Sequence, residues 1–124
     1  MVTPHSRFRA HTCFDSNPLL SGDCYTHAIW VSVSDANQRG INSGDLVHVH
    51  NDNEEMVLPA YVTSKIVLGT ACIYKGANYI RSNGATALDP QGMDIRGGEN
   101  LLTSGRDNPM VPPTVSGLVQ VEKY

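Results

Sequence analysis

A small barrel built mainly of β-strands is the fold class this sequence predicts, and three observations predict it. Short segments rich in β-branched and aromatic residues recur along the chain, clusters of Gly, Asn, Asp and Pro separate them, and only one stretch reads as helix. The 124 residues form one domain, residues 1–124, long enough to bury a core.

The elements follow in order. AIWVSVS, Ala28 to Ser34, alternates and reads as a strand. Ser34 or Asp35 then caps one or two helical turns, which Gly40 ends in the left-handed conformation. After a Ser43-Gly44-Asp45 turn, DLVHVHN alternates strictly, with Val47 and Val49 facing one way and Leu46, His48 and His50 the other. The Asn51-Asp52-Asn53 turn leads into EMVLPAYVT, where Pro59 marks an edge or a bulge. Leu68-Gly69 precedes the strand TACIYKG, and GLVQVEKY closes the chain as a final short strand. Between Asn78 and Pro113 a Gly-, Asn- and Pro-rich stretch lacks periodicity, the pattern of a binding loop or a disordered one.

Composition excludes several function classes. Hydrophobic residues make up 40% and charged residues 17%, which is neither a disordered nor a membrane-spanning balance. The apolar runs are far shorter than the roughly 20 residues that cross a bilayer, and the polar opening MVTPHSRFR is not a secretory leader. A net charge of -3 argues against binding nucleic acid. That charge is uneven, because His5, Arg7, Arg9 and His11 all precede the first acid, Asp15. Composition by itself reads this segment as a solvated basic tail, although a local patch on an acidic chain also suits a small anion such as a phosphorylated ligand.

Cys13, Cys24 and Cys72 supply no disulfide framework and no zinc or redox spacing. His48 and His50 share a strand face at a spacing that metal sites use, but no third ligand has a matching spacing. A catalytic set assembled from Ser6, His11, Cys13 and Asp15 lacks any warrant for mutual geometry. More coherent is the dense donor series Thr3, His5, Ser6, Arg9, His11 and Thr12. Hydroxyls and backbone N–H groups can wrap a phosphate, and Arg adds a forked permanent charge. No GxGxxG or P-loop is present, so a dinucleotide site here would be built from loops. Asn100-Leu101-Leu102-Thr103 is a second candidate, since an Asn amide presents donor and acceptor to a heterocycle edge; its alternative is an ordinary Asx turn.

These residues carry a resemblance. TPHSRFRAHT, the long stretch IWVSVSDANQRGINSGDLVHVHNDNEEMVLPAYVTSKIVLGTACIYKGANY, GGENLLT and LVQVEKY together resemble the C-terminal molydopterin dinucleotide-binding domain of the dimethyl sulfoxide reductase family of molybdopterin oxidoreductases. The opening TPH and the closing VEK look most like catalytic subunits of the anaerobic dimethyl sulfoxide and selenate reductase type. The resemblance implies a six-stranded double-psi β-barrel that, as a fragment of a longer catalytic subunit, closes over bis(molybdopterin guanine dinucleotide) with molybdenum. Carried over by position, the cofactor contacts are Thr3, His5, Ser6, Arg9, His11 and Thr12, then Asn100 and Thr103, then Asn51 and Asp52.

Two departures stand out. The stretch NPMVPPTVSG before the last strand is shorter than the family pattern, which leaves Ser116 as a substitute contact, and Asn78-Tyr79 replaces a Trp-Tyr pair. The implied partners are other domains of the same subunit, an iron–sulfur electron-transfer subunit and a membrane anchor subunit, on the extracytoplasmic face of a bacterial membrane. Oxygen-atom transfer would belong to the cofactor, so this chain alone would be catalytically inactive and would hold no cofactor in isolation. Two other classes compete: a freestanding double-psi barrel that binds a substrate or partner, and a small barrel decarboxylase. The latter self-processes at a Gly-Ser bond, and here Asn42-Ser43-Gly44 has that order reversed.

Overall fold

The computed structural model describes residues 1–15, 17–19, 27–82, 84, 92–102 and 117–124. They build one mainly-β sheet from β1 (Ile29–Ser32), β2 (Leu46–His50), β3 (Glu55–Thr63), β4 (Ala71–Ile73) and β5 (Gln120–Lys123), with a short helix α1 (Val33–Arg39) and a 3-10 turn (Glu99–Leu102). The strand order is β4-β1-β3-β2-β5. Every neighbouring pair is antiparallel except β1 and β3, which run parallel. A parallel pair needs a crossover, and α1 with β2 supplies it.

The alternation of β2 has the expected consequence. Val47 and Val49 are fully buried, while Leu46 is exposed and His48 and His50 are half-buried. With Ile29, Met56, Leu58, Ile73 and Leu102 the two valines form the apolar core. Strand β3 changes partner along its length: Glu55–Pro59 pair with β2, and Ala60–Thr63 pair with β1. Pro59 therefore lies in a central strand rather than at an edge, and its missing N–H falls where one ladder gives way to the next.

Helix α1 begins two or three residues earlier than the sequence predicts. Ser32, not Ser34 or Asp35, is the N-cap: its Oγ accepts from the Asp35 N–H at 3.0 Å and donates to Asp35 Oδ2 at 2.6 Å. Asp35 Oδ2 also accepts from the Gly69 N–H at 2.8 Å, tying the helix to the turn before β4. The Ser32 hydroxyl and the Gly69 N–H hold the Asp35 carboxyl below its usual pKa. Gly40 ends the helix at φ 65°, as expected.

The N-terminal segment is not a solvated tail. It lies along β4, with Val2 N–H donating to Ala71 O at 2.8 Å, Ile73 N–H to Val2 O at 3.1 Å and Lys75 N–H to Pro4 O at 3.0 Å. At its start, Met1 N–H donates to Gly117 O at 2.6 Å and Gly117 N–H to Met1 O at 3.2 Å, so the segment also touches the residues leading into β5. Part of the long Gly-rich stretch is ordered too. Ser82 N–H donates to Met93 O and Ile95 N–H to Ile80 O, and the resulting ribbon joins β3 through Val57 N–H to Asp94 O at 2.8 Å.

Candidate functional site

The site is built from three loops held together by buried charges. The first loop, His5 to Asp15, follows the segment paired with β4. Ser6 Oγ accepts from the Phe8 N–H at 3.1 Å and starts the turn. His11 (φ 54°) and Phe14 (φ 71°) both take the left-handed conformation, an uncommon state for residues with a Cβ. Against His11 packs the second loop, residues 74–82 after β4, where the bare Cα of Gly76 meets the His11 carbonyl; a Cβ on Gly76 would lie 2.1 Å from that oxygen.

Beneath the first loop lies a charge cluster. Arg9 donates to Asp15 Oδ1 through Nη1 and to the Tyr74 carbonyl at 3.1 Å through Nη2, and Nη2 also lies 3.0 Å from His27 Nδ1. The side chains of Arg9 and Asp15 are each only 2% exposed. Arg96, from the third loop, donates to Asp15 Oδ1 at 3.3 Å and to its backbone carbonyl at 3.1 Å. The Asn78 N–H, from the second loop, donates to Asp15 Oδ2 at 2.9 Å. One carboxylate thus gathers all three loops. Burial pushes the Asp15 carboxyl up, but the Asn78 N–H, Arg96 and Arg9 outweigh it and leave its pKa below the usual value.

The third loop, Asp94 to Leu102, winds around a second buried carboxylate. Asp94 is fully buried, and its oxygens accept from the N–H groups of Ile80, Arg96, Gly97 and Gly98. Glu99, also buried, accepts the Gly76 N–H on both oxygens at 3.1 Å, which sets the 3-10 turn against the His11 contact. At the other end of that turn, Asn51 Nδ2 donates to Leu102 O at 2.6 Å and to Leu118 O at 3.4 Å.

His27 is the buried histidine of the cluster. A guanidinium only donates, so Nδ1 must accept from Arg9, and Nε2 carries the proton that it gives to Gly97 O at 3.2 Å. Burial first, then the positive charge of Arg9, pushes its pKa down to about 4; the Gly97 bond and Asp15 oppose this and lose. The sign for stability follows. Between pH 6.5, the ordinary value, and about 4, the unfolded chain takes up a proton at this position that the folded chain refuses. Stability is therefore whole above that window and falls as pH drops through it, by on the order of 3 kcal/mol at its lower end. The Asp15 contribution is lost only further down, below the ordinary value of 3.8. Urea unfolding midpoints across pH 4–7 are expected to fall more steeply for the wild type than for His27→Gln; parallel curves would remove His27 as the cause.

The predicted contact residues divide by position. Thr3, Ser6 and Arg9 are buried, whereas His5, His11 and Thr12 are exposed on the first loop, the two imidazoles 5.1 Å apart edge to face. Asn100 is exposed on the 3-10 turn, Asn51 braces the far end of that turn, and Asp52 is exposed beside it. Thr103 and Ser116 lie outside the described residues. The structure thus brings the first loop and the Glu99–Leu102 turn together around Gly76, with Asn51 on the opposite flank. Missed from the sequence were Asp15, His27, Asp94, Arg96 and Glu99. The run DIRGG carried a signal for Asp94, because an Asp ahead of paired glycines suits a carboxylate cradled by backbone N–H groups.

The pair His48 and His50 stack at 4.6 Å on the outer face of β2. Each lies near one carboxylate, with His48 Nε2 2.7 Å from Glu55 Oε2 and His50 Nε2 3.7 Å from Glu122 Oε1. Among the described residues no group of three ligands is placed to hold a metal ion.

Among the described residues, the loops of this mainly-β domain turn Asp15, Asp94 and Glu99 inward and leave His5, His11 and Thr12 exposed. Residues 1–112 match the molydopterin dinucleotide binding domain, and the chain belongs to that family. It is 35% identical over 121 residues to the probable dimethyl sulfoxide reductase chain YnfF of Escherichia coli (strain K12), covering 96% of this chain. It is 32% identical, over the same share, to dimethyl sulfoxide reductase DmsA and 30% identical to trimethylamine-N-oxide reductase 1, both of the same organism. The chain spans 14% of the length of each of these relatives.

Proposed function

We propose that this chain is the cofactor-binding domain of a larger molybdopterin oxidoreductase, and that its loops cover a molybdopterin guanine dinucleotide together with other domains of the same polypeptide. One observation carries the reading. Among the described residues, the buried carboxylates of the three loops are engaged from within: Asp15 by Arg9 and Arg96, Asp94 by four N–H groups, and Glu99 by the Gly76 N–H. His5, His11, Thr12 and the exposed Arg7 meanwhile remain on the surface of the first loop. Such a donor set suits a pyrophosphate.

In this reading His5, His11 and Thr12 hold the dinucleotide, with Asn100 and Thr103 at its second edge. Thr3, Ser6 and Arg9 support that loop from beneath, Asn51 fixes the turn that carries Asn100, and the exposed Asp52 stands beside it as a further contact. The bound cofactor would supply the two-electron chemistry, molybdenum-based oxygen-atom transfer in the whole enzyme. The chain's own residues bind, orient and exclude water. The fold that accompanies this function is a closed six-stranded double-psi barrel. Support comes from the N-terminal segment, which is bridged at Val2 to Cys72 of β4 and at His5 to Lys75 just beyond it, and bonded at Met1 to Gly117, three residues ahead of β5. An iron–sulfur subunit and a membrane anchor subunit are the further partners this reading assigns.

His11→Asn in the longer polypeptide is the direct test, because Asn tolerates the left-handed conformation that His11 adopts but removes the imidazole. Guanine nucleotide released from the purified enzyme by acid is expected to fall severalfold at unchanged unfolding temperature. Full nucleotide content would sink the assignment. The 124-residue chain alone is expected to bind GMP only weakly, since a ligand gripped between domains loses half its contacts and its preorganised walls.

A further inference from the structure

We propose that His27 is a positioning residue that couples the two halves of the candidate site, so that the His5–Asp15 loop cannot shift without moving the Gly97–Asn100 turn. This rests on the cofactor-binding reading for its functional meaning, while its structural content stands alone. His27 lies two residues ahead of β1 and is buried. Its two ring nitrogens face opposite loops: Nδ1 accepts from Arg9, under the first loop, and Nε2 donates to the carbonyl of Gly97, on the third. An imidazole is rigid, so a displacement on one side is transmitted to the other.

Gly97 makes the coupling tight. It sits at φ 88° against the imidazole, and a Cβ there would lie 2.7 Å from His27 Nε2 and 3.3 Å from the Ile73 side chain. The loop backbone is therefore in van der Waals contact with the ring as well as hydrogen-bonded to it. The same turn carries Asn100, and its next residue, Gly98, donates to Asp94. On the other side, Arg9 is bound to Asp15, which closes the first loop three residues after Thr12. Among the described residues, Arg9, Asp15 and Arg96 are the charged groups that act on the ring. Arg96 also links the two loops directly through Asp15, but its side chain is 35% exposed, so that bridge is screened and pliable. The His27 bridge is the buried one.

A purely structural histidine would lower global stability and nothing else. A coupling one has a local signature. In the wild-type chain, nitrogen chemical shifts at pH 7 are expected to show a neutral Nε2–H tautomer with Nδ1 accepting; an Nδ1–H tautomer or an imidazolium would overturn the proposal without any variant. In His27→Leu, which fills the space and makes neither bond, amide exchange at Gly97 and Gly98 and within residues 8–15 is expected to accelerate together, roughly tenfold, under conditions where the β2–β3 amides keep their protection. His27→Gln offers an amide oxygen to Arg9 and an amide N–H to Gly97, and is expected to restore both regions. Acceleration in one loop only, or none, refutes the coupling, and so does failure of Gln where Leu is folded.

The functional arm uses the longer polypeptide. Nucleotide content is expected to fall severalfold in His27→Leu and to recover in His27→Gln. Unchanged content in His27→Leu alongside a loss in His11→Asn would overturn the positioning role and leave the cofactor reading standing. Unchanged content in both variants would overturn the cofactor reading.

Discussion

Replacing Asp15 with alanine is expected to destabilise the fold by roughly 3–5 kcal/mol, the range for removing one partner from a buried ion pair. Arg9 and Asp15 are 2% exposed at their side chains, so the guanidinium left behind cannot recover water. Its other contacts include His27 Nδ1 and the Tyr74 carbonyl, both neutral. The same substitution removes the carboxylate acceptor of the Asn78 N–H and leaves Arg96 on the residue-15 backbone carbonyl without its charged partner. Asp15→Asn keeps an oxygen for Asn78 but no charge for Arg9, and is expected to recover only a minor part of the loss. Adding Arg9→Met to Asp15→Ala removes the stranded cation, so the double variant is expected to be more stable than Asp15→Ala alone. Urea unfolding of the four proteins checks this. A loss below about 1 kcal/mol in Asp15→Ala would mean that the pair behaves as an exposed one.

This cluster also shows where the sequence stops being informative. The β2 strand was readable because its alternation records which face is buried, and the Gly40 stop because only a left-handed residue ends the helix there. The N-terminal segment was misread from composition for an equally physical reason. It is held by backbone hydrogen bonds at Met1 and Val2 and by the Pro4 carbonyl, which accepts from Lys75, and a backbone bond leaves no mark on the identity of the side chain that accompanies it. Composition registered only its positive charge. The TPHSRFRAHT motif singles out this segment as a whole, yet motif matching cannot separate an exposed side chain from one that supports the loop from beneath. Arg9 and His11 are two positions apart in the same motif; one is buried on Asp15, the other exposed at φ 54°. The partners that decide between them, Asn78, Arg96 and Gly97, lie 63 to 81 residues from Asp15 or 70 from His27, beyond any local pattern. The capping residue was missed by a smaller margin, since Ser32 and Ser34 are both competent caps and strand length decides between them.

Gly76→Ala is expected to cost roughly 2–5 kcal/mol, the sum of a left-handed strain and an overpacked contact. Gly76 sits at φ 91°, so any Cβ is strained there before it meets a neighbour. The neighbour is backbone: His11 O at 2.1 Å, His11 C at 2.4 Å and His11 Cα at 2.8 Å, none of which can rotate away. Relief therefore requires the His11 turn to lift from the second loop, and the Gly76 N–H to leave the Glu99 carboxylate. Gly69→Ala separates the two costs, because Gly69 has φ 75° with nothing within 4 Å of its would-be Cβ. That variant is expected to lose only about 1–2 kcal/mol of left-handed strain. The difference between the two substitutions measures the contact that presents His11. In the longer polypeptide the same comparison reads function: Gly76→Ala is expected to release the nucleotide that Gly69→Ala retains, since the former moves His11 and the latter touches only the turn before β4. Equal stability losses would show that the His11 turn yields freely, and a loop that yields so readily would not hold a dinucleotide in place.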